Sequence, residues 1–139
     1  AKPQHLLLLA TPTEVVFLAV YTTGPPGNEL ASLDIHETGF SVPSDNVNLI
    51  KAVGSARGRI FMCGNDGFLY ELIYSHHSRW WHTTKTCIKR NRSRKRDRAY
   101  QFIISALYEC ADPILDLALD AERNILYTLS ATSVIQVYD

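Results

Sequence analysis

The chain has 139 residues, of which 46% are hydrophobic and 20% are charged, a composition typical of one globular domain and not of a disordered segment. Basic and acidic residues number 14 each, and this balance argues against direct nucleic-acid binding by the chain as a whole. No apolar run approaches the roughly 20 residues that a membrane-spanning helix needs. The three cysteines are few and show no close pairing, which predicts no disulfide framework and fits a reducing compartment.

Three stretches of the chain repeat one pattern of short strands. Residues 49–75 align with residues 114–139 at an offset of 65 without a gap, so that Ile60 falls on Ile125. Residues 5–21 align with the middle copy at an offset of 54. Repeated units of short strands at this spacing are typical of propellers once insertions are allowed.

Turn residues separate the strands within each copy. In the middle copy Asn65-Asp66-Gly67 predicts a tight hairpin, because Asn and Gly tolerate positive φ. Residues 12–13 and 131–133 fill the same place in the other two copies. The alternation in Tyr70-Glu71-Leu72 predicts one face toward a core and a more polar opposite face.

The sequence therefore predicts an all-β fold, a partial β-propeller of about three blades of antiparallel strands. The units are expected at about 5–43, 47–98 and 112–139. Closure of a propeller takes 4–8 blades, so we expect the chain to be an excerpt of a larger domain. The alternative on periodicity alone is a self-contained β-sandwich of nine or ten strands.

An insertion at 78–110 separates the second and third units. Its first part predicts an outer strand running into a basic stretch, residues 89–98, which holds half of the basic residues of the chain. The rest of the chain carries 7 basic and 13 acidic residues. The cations of this basic flank are Lys89, Arg90, Arg92, Arg94, Lys95, Arg96 and Arg98.

The second part of the insertion, residues 100–108, has helical periodicity. Apolar residues recur at the i, i+3, i+4 spacing of one face, which predicts one short amphipathic helix. Asp112-Pro113 ends it. Behind seven cations, this helix is a candidate membrane-surface element. Its proposed membrane-binding residues are Tyr100, Phe102, Ile103, Ile104, Leu107 and Tyr108.

Two other interpretations of the insertion stay open. The apolar stripe could pack on the side of the propeller while the basic flank is a tether. The basic flank could also be a nuclear-import signal or a nucleic-acid contact.

Nothing in the sequence predicts a catalytic or metal site. The spacing of His76, His77, His82 and Cys87 is irregular for zinc, so we expect no metal and no cofactor. Asp66 is explained as a turn residue, and Asp120 precedes a second turn. The scattered acids, Asp34, Asp45 and Asp116 among them, form no catalytic set. We therefore expect a protein that is not an enzyme and has no small-molecule substrate.

The motifs LLLLATP (6–12), GRIFMCGNDGFLYELIY (58–74) and DPILDLALDAERNILYTLSATSVIQVYD (112–139) resemble the large inner-ring scaffold nucleoporins of the nuclear pore complex. The resemblance implies that residues 1–139 are a fragment of one N-terminal β-propeller domain, which a helical solenoid follows in that family. It also implies a structural role supporting nucleocytoplasmic transport of protein and mRNA.

The same resemblance implies partners and a location. The implied partners are other nucleoporins, namely inner-ring scaffold and linker nucleoporins and a pore-membrane protein. A lipid-contacting loop of the family corresponds to residues 100–108, which implies a peripheral membrane protein of the nuclear envelope. The alternative function is a peptide-binding β-propeller module of another assembly; a propeller-fold enzyme would need convergent acids or a metal.

The sequence departs from the family pattern in the insertion. The flank before the loop is basic here where the family tends to be serine-rich, and the loop lacks a proline often found there. Thr86 and Ile88 stand where arginines are expected. These departures predict that attraction to anionic lipid replaces recognition of packing defects.

Overall fold

The fold is described from a computed structural model, which covers residues 3–24, 32–80, 82–93 and 112–139. Ten β-strands account for most of these residues. They are β1 (His5–Ala10), β2 (Glu14–Thr23), β3 (Ser32–Pro43), β4 (Leu49–Gly54), β5 (Ile60–Gly64), β6 (Leu69–Arg79), β7 (His82–Asn91), β8 (Ile114–Asp120), β9 (Ile125–Ser130) and β10 (Ile135–Tyr138).

The strands form three antiparallel sheets, with the orders β1-β2-β3, β4-β5-β6-β7 and β10-β9-β8. The all-β prediction is confirmed for the described residues. Each sheet falls within one of the three units expected from the repeat. A sandwich would divide the strands between two sheets, so this organisation disagrees with that alternative. The predicted helix at 100–108 lies outside the described residues.

The second and third sheets have equivalent first strands and share an irregularity of the backbone at the equivalent position. Strands β4 and β8 begin at Leu49 and Ile114, which are 65 residues apart. The β4–β5 register shifts between Leu49 and Lys51, and the β8–β9 register shifts between Ile114 and Asp116. An irregularity of this kind bends a strand and increases its twist. Its recurrence at the same offset supports the sequence repeat independently of apolar composition.

The hairpin turn predicted in the middle copy is present. Gly67 has φ +76° and donates its backbone N–H to Gly64 O at 2.9 Å. The Asp66 carboxylate accepts hydrogen bonds from the Phe68 N–H and the Tyr70 hydroxyl. Asp66 is therefore a turn residue, as the sequence predicts.

Two compact units divide the chain, one formed by residues 1–46 and 74–87 and the other by residues 47–73 and 88–139. In the first unit the sheet β1-β2-β3 buries one side of β2. Phe17 is fully buried there, and its ring lies 5.3 Å from that of Tyr74 and 6.4 Å from that of Phe40. Such tilted aromatic pairs add to the burial of apolar area.

The second unit has its core where β8 packs against β4 and β5. The cluster is contributed by both sheets of this unit, so each sheet covers one face of the other. Burying side chains of this size stabilises the fold by roughly 1.5–3 kcal/mol each. The buried members are Phe61, Cys63, Leu69, Ile114, Leu117 and Leu126.

One burial prediction is wrong. The alternation along β6 predicts that Glu71 faces a polar side, but Tyr70, Glu71 and Leu72 are all buried. Glu71 is 6% exposed. A charged side chain at such a position requires compensating partners, and these partners lie near the insertion.

Candidate functional site

Only part of the predicted membrane-binding site falls on described residues. The apolar positions of 100–108 and the cations Arg94, Lys95, Arg96 and Arg98 lie outside them, so their roles stay predictions. The described cations of the basic flank lie on β7 and directly after it. The expected outer strand is confirmed, because β7 is the outermost strand of the four-stranded sheet.

The three described cations of the basic flank have different surroundings. Arg90 is exposed on β7. The Lys89 ammonium lies 5.0 Å from the centre of the Tyr70 ring, a cation–π geometry. Arg92 makes an ion pair with Glu71. Arg90 and Arg92 are both exposed, whereas Lys89 is half-buried.

The described residues on either side of 94–111 are bonded to the first residue of β6 or to the turn before it. Before that stretch, Arg92 N–H donates to Leu69 O at 2.7 Å, and Leu69 N–H donates to the Ser93 hydroxyl at 2.9 Å. After it, Ile114 N–H donates to Gly67 O at 3.0 Å. Ser93 is buried although it is polar, and this hydrogen bond satisfies it. The chain is therefore bonded to neighbouring residues, Leu69 and Gly67, on the two sides of residues 94–111.

The Glu71 carboxylate joins two arginines at this place. Arg59 Nε donates to Glu71 Oε1 at 3.0 Å, and Arg92 donates through Nε and Nη2 to Glu71 Oε2 at 2.7 and 2.6 Å. Arg59 comes just before β5 and Arg92 just after β7, so the group ties three successive strands together. Charge-assisted bonds to guanidinium are among the stronger protein hydrogen bonds.

Burial alone would raise the pKa of Glu71, because it penalises the charged form. The hydrogen bonds and positive charges of Arg59 and Arg92 outweigh burial and lower the pKa below its ordinary value. Glu71 is therefore ionised at neutral pH. The arginine side chains are about 40% exposed, so the group carries one net positive charge toward solvent.

A cavity of about 190 Å³ opens beside this group. Its polar side includes both arginines and Asn124, and its apolar side includes Phe61 and Leu126. The volume is below the 300–1,000 Å³ that drug-sized ligands occupy.

The third sheet presents an apolar face away from the core of its unit. Tyr127 and Leu129 on β9 are about 40% exposed, and Ile135 and Val137 on β10 are more than 60% exposed. A second cavity of about 170 Å³ lies on this face. Contiguous apolar surface of this kind is typical of a surface that another protein element covers.

The acids considered above as catalytic candidates have structural roles where their contacts are described. Asp116 pairs with Lys51 at 3.0 Å, and Asp120 accepts from the backbone and side chain of Arg123. These contacts lower the pKa of both carboxyls. Within the described ranges, no three His, Cys, Asp or Glu side chains are placed to hold a metal ion. No helix in those ranges is long and apolar enough to span a bilayer.

Cys63 behaves as an apolar side chain. It is fully buried in β5, and burial raises the pKa of its thiol to about 11. The thiol is therefore protonated at neutral pH and is a poor nucleophile. His76 and His77 are exposed on β6.

The sequence prediction missed the group formed by Arg59, Glu71 and Arg92. The signal was present, because Glu71 is the one acid inside an otherwise apolar stretch from Ile60 to Ile73 apart from the turn residue Asp66. A lone acid in a buried strand indicates a paired charge. Its partners could not be found from spacing, since they lie 12 and 21 residues away.

Comparison with known proteins gives consistent results across the chain. The model of a nucleoporin family, described as Nup133 N terminal like, matches residues 1–139. The chain is 33% identical over 136 residues to the nuclear pore complex protein Nup154 of Drosophila melanogaster, covering 98% of the chain and 10% of that protein. It is 31% identical over 138 residues to the nucleoporin NUP170 of Chaetomium thermophilum, with 96% of the chain and 10% of that protein covered.

A solved structure agrees with the sequence matches. The chain resembles the crystal structure of the Chaetomium thermophilum Nup170 NTD-Nup53 complex with a TM-score of 0.72 and 30% identity. The match covers 96% of the chain and 18% of that solved chain. The chain thus spans about a tenth of the length of the curated relatives it matches. By the match of the family model over its whole length, this chain belongs to the Nup133 N-terminal-like nucleoporin family.

Proposed function

We propose that this chain is a non-catalytic structural part of the nuclear pore complex. It supplies part of the N-terminal β-propeller of a large scaffold nucleoporin in the inner ring, which supports nucleocytoplasmic transport. The match of the nucleoporin family model to residues 1–139 carries the proposal. The paired, structural acids of the described residues favour a scaffold over an enzyme.

The propeller part of the proposal is supported by the way sheets repeat and cover one another. In the second unit, strands β4 and β5 with the start of β6 and the sheet β10-β9-β8 bury one face of each other. The opposite face of β9 and β10 carries exposed apolar side chains. We propose that a further sheet of the complete protein covers this face, because a propeller stacks successive sheets in this manner.

The proposed partners are other nucleoporins, namely scaffold and linker nucleoporins and a pore-membrane protein. The related Nup170 N-terminal domain was crystallised in a complex with Nup53, which supports a linker nucleoporin as one partner. The exposed leucines of β1 offer apolar surface for such contacts. The proposed location is the nuclear pore complex at the nuclear envelope.

We further propose peripheral contact with the pore membrane through residues 100–108. The support is the helical spacing of the apolar residues and the basic flank before them. Each basic residue near an anionic leaflet contributes about 1 kcal/mol to membrane binding. One such element binds weakly, and the many copies in a ring would strengthen binding by avidity.

Vesicle flotation tests the membrane part. We expect the purified protein to float with vesicles containing phosphatidylserine, and Ile103→Asp/Ile104→Asp/Leu107→Asp to abolish flotation because charge opposes insertion of the apolar stripe. Leu33→Asp/Ile35→Asp on β3 is a matched control, since those side chains are 66% and 53% exposed. Unchanged flotation of the triple variant would refute membrane contact through this stretch.

Localisation and co-purification test the scaffold part. We expect the tagged protein to stain the nuclear rim and to co-purify with other nucleoporins. A protein that stays away from the rim and binds peptides without lipid dependence would instead support a peptide-binding module of another assembly.

A further inference from the structure

We infer that the exposed apolar face of the third sheet, its open face, fits one kind of neighbour: a sheet that presents branched aliphatic side chains and places a basic residue opposite Asp116. The inference deepens the proposed function and rests on it, since it gives the contact chemistry of the further sheet proposed above. The observations that carry it come from residues 49–73 and 114–139, which lie within one compact unit.

Strands β8, β9 and β10 repeat β4, β5 and β6 with one extra residue in the first hairpin. Strands β4 and β8 correspond at an offset of 65, because their register shifts lie at that spacing. The turns after β5 and β9 correspond at an offset of 66. Gly67 and Ser133 there have φ +76° and +63°, and each donates its N–H to the carbonyl three positions before it. The ungapped offset of 65 is therefore wrong by one residue over β9 and β10.

This offset shows which face of the third sheet repeats the covered face of the second. Paired residues of an antiparallel sheet have their side chains on the same side. Such pairs place the core members of the second sheet on one face, namely Val53, Phe61, Cys63 and Leu69. Their equivalents, paired in the same register, are Ala118, Tyr127, Leu129 and Ile135. The open face is thus a repeat of the face that the third sheet covers on the second.

The second cavity marks the place on the open face where a neighbouring side chain fits. Its lining includes all four of these equivalents. On the second sheet, the corresponding four residues pack against Ile114, Leu117 and Leu126 of the third sheet. Interiors are closely packed, and the two faces share their pairing and their apolar character. We therefore expect the neighbour to present branched aliphatic side chains of the same kind.

Asp116 is a charged residue of the open face, on the same side as its pair partner Leu129. Its equivalent on the covered face is Lys51, which pairs at 3.0 Å with the opposite charge on the covering sheet, Asp116 itself. The covered face thus shows that a charge at this position meets an opposite charge.

The carboxylate of Asp116 has room for a second cation. Its Oδ1 accepts from Lys51 and from the Leu117 N–H, whereas Oδ2 accepts no hydrogen bond from the residues that the structure describes. The side chain is 53% exposed, so a neighbour on this face removes water from it. A carboxylate that loses water requires a further donor. A lysine or arginine of the neighbour, at the place that Asp116 has on the third sheet, supplies that donor.

Thiol labelling tests the contact in the purified complete protein, of which this chain is proposed to be a part. In Leu129→Cys and Ile135→Cys we expect a maleimide to react at least about tenfold more slowly than in Arg123→Cys, because the neighbouring sheet excludes the reagent. Arg123 is a matched control, since its side chain is 72% exposed near the start of β9. Mass spectrometry of peptides assigns the label to each thiol.

The outcomes separate this inference from the proposed function. Fast labelling at both positions would overturn the inference, whether or not the protein stains the nuclear rim. Slow labelling that becomes fast on dilution would show a second copy of the protein on this face and would also overturn it. Slow labelling in a protein that stays away from the rim would overturn the proposed function alone.

Charge reversal tests the basic residue of the neighbour. In the Leu129→Cys protein we expect Asp116→Lys to speed labelling about threefold, because two cations then meet. Lys51→Asp/Asp116→Lys restores a pair within the chain, so labelling that stays fast in this variant places the repelling cation on the neighbour. Lys51→Ala, the matched control, should leave labelling slow. Slow labelling in the double variant would overturn the basic residue opposite Asp116.

Discussion

Strands β1 and β5 align without a gap at an offset of 54 residues, yet their burial is opposite. All five residues of β5 are buried, and Cys63 in its middle is fully buried. Strand β1 contains four consecutive leucines, but Leu6, Leu7 and Leu9 are 39%, 45% and 50% exposed. The more uniformly apolar strand is the more exposed one.

Neighbouring strands explain the difference. Strand β5 lies between β4 and β6, and β8 packs against it. Strand β1 is at the edge of its sheet and pairs only with β2 among the described strands. Apolar sequence therefore indicates that a strand forms, while burial depends on which other elements reach it. An exposed apolar edge strand is a surface that proteins normally cover.

Truncation at the aligned positions Phe61 and Leu7 is the largest test of this comparison. We expect Phe61→Ala to lower the free energy of unfolding by about 3–5 kcal/mol, because it leaves a cavity in the core of the second unit. Leu7→Ala should cost less than about 1 kcal/mol, since that side chain already contacts water. Urea denaturation of both variants measures the difference. Similar losses would show that β1 is buried by elements beyond the described residues.

Neutralising Glu71 tests the polar exception within the apolar core. The alignment places Glu71 opposite Phe17, which is also buried, so the same position is filled by an apolar group in one sheet and a paired charge in the other. We expect Glu71→Gln to lower the free energy of unfolding by about 2 kcal/mol, less than for a fully buried pair because the arginines are partly exposed.

The difference in unfolding free energy between the wild type and Glu71→Gln should decrease as the pH falls. The folded-state pKa of Glu71 is lowered from an ordinary value of 4.5, so its contribution is present above that value and is lost as the pH falls through the folded-state pKa. Unfolding free energies measured between pH 7 and pH 3 should converge for the wild type and Glu71→Gln at the acid end. A constant difference across this range would contradict an ionised Glu71. Arg123→Ala removes an exposed partner and should leave stability close to that of the wild type.

Glycines at the ends of β5 and β4 allow a last comparison, between two Gly→Ala substitutions. A Cβ added to Gly64 would contact Val47 and lie 2.7 Å from Asn48 O, so we expect Gly64→Ala to cost about 1–3 kcal/mol. At Gly54 the nearest atom, Arg59 O, is 3.8 Å away, and Gly54→Ala should be within about 0.5 kcal/mol of the wild type. Thermal denaturation checks both. The residue of β1 aligned with Gly64 is Ala10, which is exposed and has room for its methyl group.

Much of the fold could be predicted from local sequence. The all-β fold, the turn at Asn65-Asp66-Gly67 and the outer strand β7 follow from β-branched and aromatic runs and from residues that tolerate positive φ. These signals act over a few residues, so a single sequence contains them. The burial of Glu71 and the exposure of Leu7 could not be predicted in this way, because both depend on strands distant in sequence.

The candidate site, like the fold, could be predicted only where its signals are local in the sequence. Spacing predicts an insertion and its basic flank, but it does not distinguish Arg92 from Arg90. The structure does, because Arg92, although exposed like Arg90, donates to the Glu71 carboxylate through two nitrogens. The net charge of a segment can be summed from its sequence, but the electrostatic effect of each charged side chain depends on the residues that surround it in the fold.

The ion pair between Lys51 and Asp116 joins two successive sheets through opposite charges. These residues occupy the same position in two successive copies, 65 residues apart. A sheet of the β4 type placed against its own copy would bring two lysines together, and two sheets of the β8 type would bring two aspartates together. Each exposed contact is weak, but repulsion between like charges at this shared position disfavours the packing of a sheet against another copy of itself.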